Sequence, residues 1–288
     1  VLTGCHYLGL PKPSSKTYTA FVSAFYTGLG ALQVGDDVRA EAELSRATQL
    51  APGEPAAWAN WAILALRQRN FDAADPRLER ARKLAPNNDQ LYYLTGLLES
   101  GKGNSTAAIA DLRKAAEINP RNLIATYQLA QEIERQADPN SDADFQKLIE
   151  QIVQTQPDNT AALLELARVA AKRGDAATLR QTVAAIKAQA QGWPPEVQEQ
   201  LAAVETAAAG PDPRAAAVKT TFLRNVLRRV PTFRQTVAAI KPAPGDEAQP
   251  FPRFLRLATP VFTPAAPDTA MTFTPEPIVS ADKTHWNW

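Results

Sequence analysis

The chain has 288 residues, 45% hydrophobic and 21% charged, enough to bury a core in one elongated array or in two domains. Its 31 basic and 30 acidic residues leave a net charge of +1, so no global field draws it to nucleic acid, and no nucleic-acid partner is expected. One cysteine and two histidines exclude an intrachain disulfide, a Cys/His zinc cage and covalent haem attachment, and a histidine triad would have to use His6 or His285.

In chain order, the first feature is Leu2-Thr3-Gly4-Cys5. An apolar residue, two small ones and then cysteine resemble the bacterial lipobox. The resemblance implies that residues 1–4 are a signal-peptide remnant and that Cys5 is lipidated, which makes a membrane the expected partner of this end. A diacylated cysteine suffices to hold a soluble domain, because two buried chains anchor where one is marginal. Residues 1–16 then form remnant and spacer, the spacer being Pro11-Lys12-Pro13-Ser14-Ser15-Lys16. The alternative is an ordinary free cysteine. No stretch of about 18 apolar residues exists to span a bilayer. The start at Val1 and the stop at His285-Trp286-Asn287-Trp288 are read as those of a piece of a longer protein.

Next comes a repeat. Pro52, Pro86 and Pro120 stand 34 residues apart, and the same period aligns Ala40/Ala74/Ala108, Leu44/Leu78/Leu112 and Ala47/Ala81/Ala115. An earlier position is small each time (Gly28, Ala62, Gly96), and four residues before it stand Ala24, Trp58 and Tyr92. Two antiparallel helices approach closely only where a side chain is small, so Gly or Ala marks their crossing and the large residues fill either side. The proline closes the second helix of each pair.

A fourth unit, with Leu129, Ile133, Phe145, Ile149 and Ile152 as core, ends at Pro157, 37 residues after Pro120. Its three extra residues fall in 137–142, between two helices, where insertions are tolerated. A fifth begins near Thr160, turns at Gly174-Asp175 and carries Leu179, Val183 and Ile186. The repeats thus lie near 21–54, 55–88, 89–122, 123–159 and 160–194, within an array over 17–194. Residues 195–241 read as capping and basic amphipathic helices, the first of them, Glu196 to Ala209, shielding the last repeat. In the second, Val218, Phe222, Val226 and Val230 share a face at i+4 steps. It reads as one more hairpin docked on the array rather than as a membrane-surface helix, because its positive charges are scattered. The octapeptide Arg-Gln-Thr-Val-Ala-Ala-Ile-Lys occurs twice, at 180–187 and 234–241. From Pro242 onward nine of 47 residues are proline, which makes 242–288 an extended connector with short β-prone pieces, leading into a truncated β domain.

The 34-residue units resemble tetratricopeptide repeats. That implies an all-α, right-handed solenoid of about five hairpins plus capping helices, whose first helices line a peptide groove. The groove residues it implies are Phe25, Leu29, Asn60, Ile63, Tyr93, Leu97, Tyr127, Gln131 and Arg168. The family's basic clamp for carboxylate-terminal chaperone ligands maps to Phe25, Leu29, Asn60, Gln90 and Leu94, of which only Asn60 fits. An apolar or Pro-rich segment is therefore the expected partner, from another protein or from this chain's own tail or downstream domain. The layout as a whole is similar to bacterial exported lipoproteins in which such an array precedes FG-GAP/VCBS propeller repeats related to cartilage acidic protein.

No catalytic, cofactor or metal constellation is expected. Gly28-x-Gly30 and Gly101-x-Gly103 follow no strand, so they are not phosphate loops. Asp36-Asp37 and Asp138, Asp142 and Asp144 lack a calcium-loop glycine and read as helix starts. The expected function is a non-catalytic interaction scaffold, exported and membrane-anchored. A cytosolic adaptor and the non-catalytic arm of a larger enzyme are the alternatives.

Overall fold

A computed structural model describes residues 10–229, which form twelve α-helices and no strand among the described residues. Cys5, Val230, the second octapeptide and the Pro-rich segment lie outside them. The first ten helices pair as hairpins: α1 (Lys16–Val34) with α2 (Asp37–Leu50), α3 (Pro55–Arg67) with α4 (Phe71–Leu84) and α5 (Asp89–Gly101) with α6 (Ser105–Ile118). They continue as α7 (Leu123–Gln136) with α8 (Ser141–Thr155) and α9 (Thr160–Arg173) with α10 (Ala176–Gln189). The capping helices are α11 (Pro195–Ala209) and α12 (Ala215–Arg229). The all-α hairpin array expected from the period is what the chain forms. It divides into two compact units, one up to Asn119 and one from Pro120.

Short polar residues start the helices. Side chains of Ser15, Asp36, Asn70, Asn88, Asn122, Asn159 and Asp175 each accept a backbone N–H of the following first turn. Each such cap contributes about 1 kcal/mol to its helix. Aspartates 36 and 175 are thus helix starts, as their turn positions implied.

The turns inside the hairpins share one backbone solution. Gly35, Arg69, Gly103, Ala137 and Gly174 all have positive φ (80°, 55°, 83°, 55° and 75°). In four of these turns the next residue donates its N–H to a carbonyl five residues back: Asp36 to Ala31, Asn70 to Ala65, Asn104 to Glu99 and Asp175 to Ala170, at 2.8–2.9 Å. This αL closure satisfies carbonyls that the helix end leaves free. Glycine adopts it without strain; Arg69 and Ala137 do not.

Within each hairpin the repeat's small and large residues meet. Ala40, Ala74 and Ala108, with Leu44, Leu78 and Leu112, are all buried. A Cβ placed on Gly28 would lie 2.8 Å from Leu44 Cγ, and one on Gly96 would lie 2.6 Å from Leu112 Cγ. Ala51, Ala85 and Asn119 then cap the second helices, directly ahead of the three periodic prolines.

In the second unit α9 is buried almost all round. Ala161, Ala162, Leu166 and Val169 join the core with α7 and α8, while Leu163, Leu164, Ala167, Ala170 and Ala171 join the core of α10, α11 and α12. A helix apolar on every side belongs between two layers. The capping hairpin places α11 on α10 and α12 on α9. The stripe that α12 buries is Ala216, Thr220, Leu223 and Leu227. The i+4 stripe expected to be its packing face is the other one: Val218 is 60% exposed and Phe222 55%, with Val226 half-buried at its edge. Both stripes carry large apolar residues, and the one with Leu223 and Leu227 is the one that packs on the core.

Three substitutions follow from the turns and the crossings. Arg69→Gly and Ala137→Gly are expected to stabilise the chain by about 0.5–1 kcal/mol each through relief of αL strain. Gly96→Val is expected to destabilise it by about 1–3 kcal/mol through overpacking against Leu112. Urea midpoints of the three variants check both signs.

Candidate functional site

In the first unit, the first helices are α1, α3 and α5. Of the implied groove residues they carry, Phe25 is wholly buried, as is Asn60, whose Nδ2 donates to the Ala56 carbonyl at 2.9 Å. Leu29, Ile63 and Tyr93 are also buried, while Leu97 is half-buried. Burial pushes the Tyr93 hydroxyl well above its ordinary range, and its oxygen has no hydrogen-bond partner. These side chains are buried, so a ligand meets little of them. The aromatic surface that stays open is one residue away. Tyr26 on α1 is 52% exposed and stands edge-on to Phe25, with centroids 5.2 Å apart at 86°. The sequence reading passed over it; adjacent aromatics on a first helix, one turned in and one out, were the signal available.

Polar joints hold these hairpins in register. Arg67 pairs with Asp37 and donates to the Leu32 carbonyl at 2.7 Å. Arg77 reaches back from α4 to Glu41 at 2.9 Å and lies over Trp61, 3.7 Å from the ring centroid. Burial lowers the pKa of Arg77, and Glu41 partly offsets this. Trp58 sits 5.8 Å from Trp61 and donates its indole N–H to the Pro52 carbonyl, so this pair belongs to the joint, as repeat packing predicts. Glu54, buried at the start of α3, caps Ala56 N at 3.0 Å; burial raises its pKa against that hydrogen bond.

The second unit carries Tyr127, Gln131 and Arg168. Tyr127 is buried; Gln131 is half-buried and donates to the Tyr127 hydroxyl at 3.1 Å. Arg168 on α9 is the centre of a charged ladder. Its guanidinium meets both oxygens of Glu134 at 2.8 and 3.0 Å and Glu165 through Nε at 2.7 Å, and it lies 5.1 Å from the Phe145 centroid. Burial alone would lower its pKa, but the two glutamates outweigh burial and raise it. Glu165 is itself buried and accepts from Arg224 of α12 at 2.5 Å, which ties the capping hairpin to the array. Bidentate Arg–carboxylate pairing fixes geometry as well as charge. This arrangement can orient a helix; it offers no free nucleophile or acid–base pair.

Among the described residues no group of three His, Cys, Asp or Glu side chains could hold a metal, and no helix is long and apolar enough to cross a membrane. The acidic turn residues are engaged in structure: Asp37 with Arg67, and Asp142 with Lys172 at 2.6 Å.

No protein-family model matches the sequence, and no curated protein matches it. Solved structures do. PilF of Pseudomonas aeruginosa is similar over 77% of this chain and 98% of its own, at 18% identity and a TM-score of 0.55. MamA is similar over 60% of this chain and 92% of its own (15% identity, TM-score 0.50), and yeast Tom70 over 80% and 47% (14% identity, TM-score 0.51). All three are tetratricopeptide proteins, and at these identities the likeness shows the fold: a tetratricopeptide-type α-solenoid.

Arg168→Ala takes the bidentate partner from Glu134 and leaves buried Glu165 with Arg224 alone, and a loss of about 2–3 kcal/mol is expected, whereas Glu134→Gln should lose under about 1 kcal/mol. Denaturant unfolding of the two variants makes the comparison.

Proposed function

We propose that the chain is a non-catalytic protein–protein interaction scaffold that holds a peptide or protein segment on the first-helix face of its solenoid. The observation that carries this reading is Tyr26, a large aromatic left half in solvent on a first helix whose neighbouring side chains are turned into the core. An exposed aromatic backed by a packed one is a rigid anchor with little conformational entropy to lose. Apolar residues at Phe25, Leu29 and Leu94 deprive the face of a basic clamp, so the favoured occupant is an apolar or Pro-rich segment rather than a charged carboxyl terminus. In the full chain that occupant is a partner protein, or the Pro-rich stretch from Pro242 and whatever domain it leads to.

The same reading places the scaffold outside the cytoplasm, anchored in a membrane through lipidated Cys5 and followed by propeller repeats. Its support is the Leu2-Thr3-Gly4-Cys5 sequence and the Pro-rich exit.

Two experiments test the proposal. Tyr26→Ala and Leu97→Asp in the full chain are expected to weaken a captured partner's Kd by at least about tenfold while the far-ultraviolet circular dichroism stays unchanged; undiminished affinity for every partner would reject the face. Radioactive palmitate fed to cells making the chain with its native upstream sequence should label it, and Cys5→Ser should abolish the label. Label that survives the substitution, or none on the wild type, removes the anchor.

A further inference from the structure

The capping hairpin turns a surface of its own to solvent. On α12, Leu223 and Leu227 pack inward, yet Val218 is 60% and Phe222 55% exposed on the opposite side of the helix. On α11 the buried stripe is Val197, Leu201, Val204 and Ala208, and the residues opposite it, Glu199, Ala202 and Thr206, are exposed. One helix thus offers large apolar side chains and its neighbour small ones. The same complement, a small residue against a large one, packs Gly28 on Leu44 and Gly96 on Leu112 inside the hairpins.

The two helices also differ in sign. α11 carries Glu196, Glu199 and Glu205 and no basic residue, while α12 carries Lys219, Arg224, Arg228 and Arg229 and no acidic one. Glu205 is bound to Lys187 and Arg224 to Glu165, whereas Glu196, Glu199 and Lys219 stand exposed. A surface that is acidic along one helix and basic along the next complements itself when a second copy is turned over onto it. Like charges oppose a copy laid with α12 on α12; opposite charges favour one laid with α12 on α11. Distance from the connecting loop sets the levels. Ala202 lies seven residues before the end of α11 and Phe222 seven after the start of α12, and Thr206 and Val218 each lie three away.

We propose that this face is a dimer interface, on which a second copy of the chain docks about a two-fold axis running between α11 and α12 and parallel to them. Val218 and Phe222 of each copy then lie over Thr206 and Ala202 of the other, and the two hairpins form a four-helix bundle with opposite charges across each seam. Terminal units of repeat arrays ordinarily carry a polar outer face; two exposed large apolar residues here break that pattern. The area sets the strength. Two 15-residue helices, each about 22 Å long and set about 10 Å apart, present roughly 450 Å² of face, so the pair of copies buries about 900 Å² in all. That lies at the size of weak complexes, and a Kd on the order of tens of micromolar follows.

Sedimentation equilibrium of the full chain, from about 2 to 300 µM, tests this, with a passage from monomer to dimer as the expected result. Phe222→Asp should weaken the dimer at least about tenfold and Glu199→Lys about fivefold. Both side chains are exposed, so the urea midpoint should barely move. Val38→Asp is the control, because Val38 is 84% exposed on the first hairpin, and it should leave the dimer unchanged. In a Cys5→Ser background, Thr206→Cys chains mixed with Val218→Cys chains should form the mixed disulfide in preference to either symmetric one. A chain that stays monomeric throughout overturns the proposal. So does a dimer indifferent to Phe222→Asp, or one whose disulfides join two Val218→Cys chains instead.

Discussion

The close crossing of two helices inside each hairpin is the constraint from which the rest follows. Where Gly28 meets Leu44 and Gly96 meets Leu112, the leucine side chain of the second helix lies against the first helix too closely for a Cβ to fit without a shift. That separation fixes which side chains can be large, hence the alanines and leucines that recur every 34 residues. It also fixes how the chain must turn. Helices this close need a tight reversal, and an αL residue supplies it in all five hairpins, in four of them with the carbonyl closure. Once the hairpins are uniform, those within each unit stack in a regular way, and their polar joints fall into register. Asp37 with Arg67 and Asp142 with Lys172 are the same joint, 30 residues apart in both cases.

How much of this could be read from the sequence depended on how local its cause was. The crossing residues and the turns repeat, so the period alone revealed them, and the fold followed. The buried stripe of α12 did not repeat. Both of its sides are apolar, and only contact with α9, about 60 residues earlier, and with α11 selects Leu223 and Leu227 over Val218 and Phe222. The first helices were legible in outline and the burial of their side chains was not. Spacing assigns Phe25, Asn60 and Tyr93 to first helices, but it does not say that they are buried and that Tyr26 stays open. The ladder through Glu134, Arg168, Glu165 and Arg224 was likewise hidden, because its members come from three helices.

The absence of a basic clamp shifts the energetics expected of binding. An apolar, aromatic face gains from buried area and from rigidity rather than from charge, so its selectivity rests on shape and on what the partner loses when it is ordered. A Pro-rich segment loses little, since its chain is already extended. That is a physical reason for this family of occupants to suit this face, whichever molecule carries it.

The position of α9 has one more consequence. Repeat arrays commonly melt as a chain of nearest neighbours, each unit able to fray from the end inward. Here α9 gives one set of side chains to the core before it and another to the core after it, and Arg168 and Arg224 bolt it on both sides. Fraying from the C-terminal end therefore cannot stop at the fifth hairpin. Loss of α12 bares Glu165, loss of α9 opens the core around Phe145 and Ile149, and the segment from α7 to α12 passes between order and disorder as one cooperative block.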